Sequence, residues 1–447
     1  MLALLLTVTP TVKGVALASG SSGAVHLSDL VLPAVAVAGL PTALRTRGIW
    51  LPVVLGVVTV AEAFNGLFHG ASTHYLLRDM RPGVYMTLGA VAAICICVQW
   101  EDWRWYLRAL AVFLGGVAFL LLVSQAMPSP LVGSSQSVSV FYGSGVQQLG
   151  SSRAQLETDS VALATLCGLV GSTVGGFALP RLIGIRTFWS LLVSSAVIVF
   201  LSYSRNSLLG LGVAAIAGLL APVAVAGDIA AADKLSGTLR TALTTGLIAL
   251  ALAVPALALV RSGVISTQLE TYGGRVLHGL SSAALRSDTS VQWRDVETRL
   301  AEDSIARHPV SGTGLGVFYR PYVPGEPFIG DDGRIYVHDY YLSLLVKGGV
   351  LYLAVIAIVL GGAIVRLLFA RAGSVAERGW RLTAGCGLVA LAAVGVVAPW
   401  AGQPDGAAIF GALMAAGWCV VPARGDRAGA ATGARVGPHR HGIEEIA

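Results

Sequence analysis

Charge is what this chain has least of. Only 12% of its 447 residues are Asp, Glu, Lys or Arg, about half the share usual in soluble domains, while 55% are hydrophobic and the mean hydropathy is +0.74. That balance excludes a soluble globular enzyme and leaves a polytopic membrane protein. Lysine is nearly missing, with Lys13, Lys234 and Lys347 the three in the chain. No basic run is interleaved with aromatics, so the net charge of +6 does not point to nucleic acid; basic side chains at the cytoplasmic ends of membrane helices explain it. Cysteine is sparse as well. All five, Cys95, Cys97, Cys167, Cys386 and Cys419, fall in apolar stretches, which excludes a disulfide framework and a thiolate metal centre. The apolar run at 1–18 has no basic region before it and is interrupted by Lys13, so it reads as a first spanning helix rather than a cleaved signal. No soluble domain is appended and no internal repeat is visible.

What is there is a series of apolar runs. At about twenty residues per span, twelve candidates fall near 2–19, 28–43, 49–68, 82–99, 105–123, 160–179, 187–203, 207–226, 241–260, 350–369, 382–400 and 405–421. The expected fold class is therefore all-α, with about twelve transmembrane helices and one long extracytoplasmic loop. Short loops that would be cytoplasmic with the N-terminus inside collect arginine: Arg45 and Arg47, Arg104 and Arg108, Arg181 and Arg186, then Arg366, Arg371, Arg378 and Arg381. The opposite loops hold few, Arg78, Arg81, Arg153 and Arg205 among them. By the positive-inside rule both termini are cytoplasmic and the loop at 261–338 lies outside. The chain divides into helices one to nine over 1–260, an outer loop and return helix over 261–349, helices ten to twelve over 350–421, and a basic, disordered cytoplasmic tail over 422–447. The Ser-, Gly- and Gln-rich stretch at 124–158 reads as a flexible outer connection.

The outer loop is where the apolar pattern is given up. Trp293, Val296, Leu300 and Ser304 recur at helical spacing, with Asp295, Arg299 and Asp303 on another face, which predicts an amphipathic helix ending near His308, before Pro309. Arg294 falls at the edge of the apolar stripe, placed to meet a buried anion. Gly312-Thr-Gly314-Leu-Gly316 lacks the strand, lysine and spacing of a phosphate loop and reads as a chain reversal. His338 opens the next apolar run, with Asp339 as a helix N-cap and Gly348-Gly349 as a break. A neutral imidazole near pH 7 suits removal of a proton from a sugar hydroxyl. Arg205 sits in the tight outer turn Ser204-Arg205-Asn206, where an arginine points to an anionic partner or to lipid phosphate. Arg78 and Arg81, before the fourth span, have the same character. No acidic pair with metal-binding spacing lies near these elements; the adjacent pairs are Glu302-Asp303 and Asp331-Asp332. His439 and His441 stand in the Gly-rich tail and read as solvated.

Taken in order, SRN at 204–206, RDVETRLAEDSIARHPVSGTGLG at 294–316 and HDYYLSLLVKGG at 338–349 resemble the O-antigen ligase and polysaccharide polymerase superfamily of bacterial envelope glycosyltransferases. Its members typically show a Ser-Arg-Gly turn, an outer-loop arginine upstream of His-Pro-x-x-Gly-x-Gly, and a His-Asn-x-Tyr-Leu motif. The resemblance covers the span count and about 150 residues, and it implies a multi-pass protein of the bacterial inner membrane. It further implies a glycan donor on undecaprenyl pyrophosphate, a glycan or glycolipid acceptor, envelope-assembly partners, and neither cofactor nor metal. Residue by residue, it implies that Arg205 and Arg294, with Arg81 and Arg78 as further candidates, bind pyrophosphate, and that His338 acts in catalysis. Asn206 stands where Gly is usual. Asp339 stands where Asn is usual and puts a carboxylate next to His338 in sequence, able to share its role.

Two other classes compete: a transporter or flippase of lipid-linked glycans, which would carry charges near the bilayer midplane, and a noncatalytic scaffold whose amphipathic loop helix docks a partner. Abundant Arg, Ala and Gly hint at a GC-rich genome and leave ligase and polymerase unseparated, with a slight lean to polymerase.

Overall fold

The computed structural model describes residues 16–20, 23–26, 28–98, 103–125, 134–142, 145–155, 158–177, 179–226, 269–274, 289–323, 333–370, 372 and 375–419. Twelve α-helices are found among them: α1 Ser28–Ala43, α2 Trp50–Phe68, α3 Thr73–Val98, α4 Trp103–Gln125, α5 Asp159–Val174 and α6 Leu179–Ile183, followed by α7 Ile185–Leu201, α8 Asn206–Ala226, α9 Thr289–Arg307, α10 Tyr340–Phe369, α11 Val375–Val394 and α12 Pro404–Cys419.

Apolar periodicity accounts for how these helices sit. On α2, Val53, Val57, Val60 and Phe64 lie at i, i+4, i+7 and i+11 and are 48–62% exposed, a stripe that lipid would cover. The opposite face, Leu51, Leu55, Thr59 and Ala63, is buried. Trp50–Phe68, Trp105–Ser124 and Tyr340–Phe369 are long and apolar enough to cross a membrane. Leu32–Ala43, Asp159–Val174, Ile185–Leu201, Asn206–Ala221 and Gly406–Cys419 are shorter apolar helices. This is the helical, apolar build of a membrane protein.

Between helices in lipid the hydrophobic effect is small, and close backbone approach supplies the packing. α3 and α12 meet this way. A Cβ on Gly89 would lie 2.1 Å from the carbonyl oxygen of Ala408, and one on Gly411 would lie 2.0 Å from that of Met86. α5 packs on α8 and α11, and α10 spans from α9 to α12. Cys95, Cys167 and Cys386 are free thiols.

Several sequence expectations change. The first span was expected over 2–19, but Ala16–Gly20 is a strand paired antiparallel with Gly23–His26; Gly and Ser there favour a reversal over continued helix. The 124–158 connection contains a second antiparallel hairpin, Ser134–Tyr142 with Gly145–Gln155, in place of a flexible loop. Alternating Ser and Val over Ser137–Val140 supports a strand there. Two hairpins thus qualify the all-α expectation. α3 starts at Thr73 rather than near 82, because a helix carries polar turns wherever packing satisfies them, and Arg78 and Arg81 become helical. The expected ninth span at 241–260 and the tail at 422–447 lie outside the described residues.

Candidate active site

α9 ends where Pro309 predicts, with the His308 amide donating to the Ser304 and Ile305 carbonyls at 3.2 and 3.1 Å. Its buried face differs from the expected one. Val296 is 37% exposed, whereas Glu297, Ala301 and Ser304 are 6%, 0% and 2% exposed. Ala301, with Leu300 and Ile305, packs against Tyr319, Val337, Leu342 and Val346, so α9 lies on the start of α10. An isoleucine-like stripe with Val296 inward would be the apolar solution; burying Glu297 instead requires a partner for its carboxylate.

That partner is His338. Nδ1 of His338 lies 2.7 Å from Oε2 of Glu297, the imidazole 24% and the carboxylate 7% exposed. Tyr336 sets its ring edge-on to the imidazole, centroids 4.9 Å apart at 83°. Burial first, and then the nearby Glu297 carboxylate, push the Tyr336 phenol well above its ordinary range; a hydrogen bond with the Gln403 side chain and the Arg294 charge oppose this in part. Arg294, one helical turn before Glu297, is half-buried, and its Nε has no hydrogen-bond partner among the described residues. Arg294, Glu297, Tyr336 and His338 thus form one cluster.

Asp339 is the N-cap of α10, as the sequence predicts. Its Oδ1 accepts from the amides of Tyr341 at 2.8 Å and Leu342 at 3.0 Å. Burial raises its carboxyl above the usual range, and the two cap bonds oppose that. The carboxylate that meets His338 comes from forty-one residues upstream, which adjacency in sequence could not reveal.

The start of α10 is held by the glycine loop. Gly349 breaks the helix with φ 60° and ψ −161°, and the loop takes over the two helical hydrogen bonds lost there. Thr313 and Gly314 donate to the carbonyls of Val346 and Lys347 at 2.8 and 2.7 Å, while Val350 and Leu351 donate to Pro309 and Val310 at 2.9 and 3.4 Å. The remaining loop amides are also used: Gly312 donates to His308, Leu315 to Glu62, and Gly316 to Oδ2 of Asp79 at 2.9 Å. With all five amides of 312–316 engaged inside the protein, the loop is a chain reversal and offers no phosphate cradle. A Cβ on Gly314 would sit 2.2 Å from the Gly66 nitrogen, and φ is +89°, so only glycine fits.

Asp79 also pairs with Lys347. Beside this pair, and reaching Tyr336 and Val337, is a pocket of about 330 Å³ lined among others by Arg78, Asp79, Arg81, Tyr340 and Lys347. Arg205 is presented by the α7–α8 turn. The positive φ there belongs to Tyr203, at 46°, and not to Asn206, which starts α8, so Asn in place of Gly costs no backbone strain. Tyr203 packs near Phe200 and Tyr272, with Phe200 and Tyr272 stacked at 4.7 Å.

Of the six expected residues, Arg294 and His338 share the cluster, Arg78 and Arg81 line the adjoining pocket, Asp339 caps α10, and Arg205 belongs to the α7–α8 turn. Glu297, Tyr336, Gln403 and Lys347 were missed. Glu297 alone left a sequence signal, its i+3 spacing from Arg294. Among the described residues no three His, Cys, Asp or Glu side chains converge as a metal site.

Comparison with curated proteins finds no match. Residues 190–357 match the family model described as O-antigen ligase, a span that holds the Arg205 turn, α9, the glycine loop and the His338 cluster. That match supports, over this segment, the O-antigen ligase and polysaccharide polymerase superfamily.

Proposed function

We propose that the protein transfers or polymerises a glycan from a polyprenyl pyrophosphate donor to an acceptor hydroxyl. The reaction takes place on the extracytoplasmic face of a bacterial inner membrane, with both termini cytoplasmic, so that the loop around α9 faces outward. The observation that carries this reading is the Glu297–His338 hydrogen bond with Arg294 one turn away.

A Glu297 carboxylate accepting from Nδ1–H fixes the tautomer in which Nε2 is the free base. His338 then takes the proton of the acceptor hydroxyl as that oxygen attacks the anomeric carbon. The bond from that carbon to the pyrophosphate oxygen breaks, its electron pair stays on the pyrophosphate, and configuration inverts. The imidazolium is stabilised by Glu297 until it releases the proton. Arg294 and Arg205 hold the pyrophosphate through paired charge-assisted hydrogen bonds, supplying the electrostatic stabilisation a metal would otherwise give. Because the outer side of the membrane lacks nucleotide sugars, a donor that carries its own leaving group suits this placement. Tyr336, kept protonated by burial, holds the imidazole edge and acts as a positioning residue, and Asp339 serves the helix rather than the chemistry.

The test is reconstitution of the purified protein with a lipid-pyrophosphate glycan and an acceptor, with products sized and their anomeric configuration read. Polymer or single transfer separates polymerase from ligase. Transfer that survives replacement of Arg205, Arg294 and His338, each singly by alanine in well-expressed protein, would sink the reading.

A further inference from the structure

The 330 Å³ pocket next to Tyr336 is the size of a small-ligand site, and the proposed chemistry leaves it without an occupant. We propose that it is the acceptor subsite and that it reads a sugar residue bearing an oxyanion, a carboxylate or a phosphate, through Arg78 and Arg81. The inference rests on the glycan-transfer reading and assigns these two arginines to the acceptor instead of the donor pyrophosphate.

Charge is the first support. Three cationic side chains and one carboxylate line the pocket, and the carboxylate, Asp79, is already matched to Lys347. By formal charge the lining is positive, and its two guanidinium groups stand three residues apart on α3, a spacing that puts both on one helix face. Guanidinium pairs recognise the planar or tetrahedral oxygens of carboxylates and phosphates through paired hydrogen bonds. The second support is Tyr340, a lining residue only 4% exposed, whose hydroxyl is buried with no hydrogen-bond partner among the described residues. A buried hydroxyl left unsatisfied costs free energy that a bound sugar oxygen would recover.

Position distinguishes acceptor from donor. Arg294 and Glu297 do not line the pocket, while Tyr336 lines it and also touches His338 with its ring edge. An inverting displacement needs the attacking hydroxyl and the departing pyrophosphate on opposite sides of the anomeric carbon. The two sets of cations are carried by different helices, Arg294 by α9 and Arg78 and Arg81 by α3, and the imidazole meets the pocket through Tyr336.

The experiment measures equilibrium binding to purified full-length protein in lipid nanodiscs, reported by the fluorescence of tryptophan, since Trp400 lies between the lining residues Pro399 and Ala401. The probes are a glucuronate-terminated disaccharide, its 6-phosphate counterpart, the neutral glucose-terminated disaccharide, and inorganic pyrophosphate. At least one charged disaccharide is expected to bind at least tenfold more tightly than the neutral one, and the tighter of the two names the substituent. Arg78→Gln and Arg81→Gln should each remove that preference, Arg81→Lys should keep part of it, and pyrophosphate affinity should fall with Arg294→Gln but not with the Arg78 or Arg81 variants. Equal binding of charged and neutral sugars overturns the proposal. So does loss of pyrophosphate affinity in Arg81→Gln, which would return the pocket to the donor. If Arg81→Gln does not fold, Arg81→Lys and Arg78→Gln carry the same comparison. Because binding needs no turnover, a protein that discriminates these sugars but never transfers glycan would defeat the transferase reading and leave the subsite standing.

Discussion

Nδ1 of His338 and Oε2 of Glu297 are 2.7 Å apart, joining the residue just ahead of the α10 N-cap to an amphipathic loop helix forty-one residues earlier. The contact gives the imidazole a defined orientation, and it supplies a carboxylate partner other than Asp339, the one the sequence offers.

Glu297→Gln should lower kcat by roughly 10²-fold, the lower end for losing an oriented general base, with the donor KM little changed. Glu297→Asp should recover part of that. Steady-state kinetics on the reconstituted protein decide it, and a Glu297→Gln protein with full kcat would remove Glu297 from the mechanism.

Asp339 should behave as a cap. Asp339→Asn is expected to be nearly neutral, because the two residues cap equally well, while Asp339→Ala should cost about 1 kcal/mol of stability with transfer largely retained. Thermal unfolding in detergent, set beside activity, separates this from a catalytic role, in which Asn would be as damaging as Ala. The interchange explains why Asn is usual at this position in the superfamily the sequence resembles.

Gly314→Ala should destabilise the protein by about 1–3 kcal/mol or more, from positive φ combined with a clash against Gly66. Gly361→Ala in α10, where a Cβ would meet nothing within 4 Å, should leave stability unchanged or slightly raised. A Gly314→Ala protein that melts with the Gly361→Ala protein would show that the loop is not docked as described.

Lys347→Met alone should cost about 3–5 kcal/mol, because it leaves the largely buried Asp79 carboxylate without its cation. The double variant Lys347→Met/Asp79→Asn should recover much of that loss. A double variant no more stable than the single one would argue against coupling between the two side chains, and a double-mutant cycle of unfolding free energies measures it.

Transfer should persist in EDTA, since the proposed roles fall to Arg205 and Arg294 rather than to a divalent ion. Complete loss restored by added metal would overturn that part of the mechanism.

Much of the scaffold is legible in apolar periodicity: ten of the expected spans correspond to described helices over most of their length, and the end of α9 follows from Pro309. The chain reversal at 312–316 and the break at Gly349 were also readable, because glycine marks positions where no Cβ fits. What escaped was register and distance. The α9 stripe turns by one residue, since Glu297 is buried for His338 while Val296 tolerates exposure, and no periodicity rule weighs a partner 41 residues away. Arg78 and Arg81 were noticed as outer charges, but their place in a pocket depends on α3 beginning nine residues before the apolar run, a packing outcome with no local signature.

The break at Gly349 is splinted. Two main-chain hydrogen bonds tie Val346 and Lys347, before the break, and two tie Val350 and Leu351, after it, to the same loop at 309–314. A change in bilayer thickness that tilts the lower half meets this splice first, since bending about Gly349 would strain the bonds of Val350 and Leu351. The splice lies about three turns below His338, so mechanical strain from the membrane is taken up by backbone amides before it reaches the imidazole.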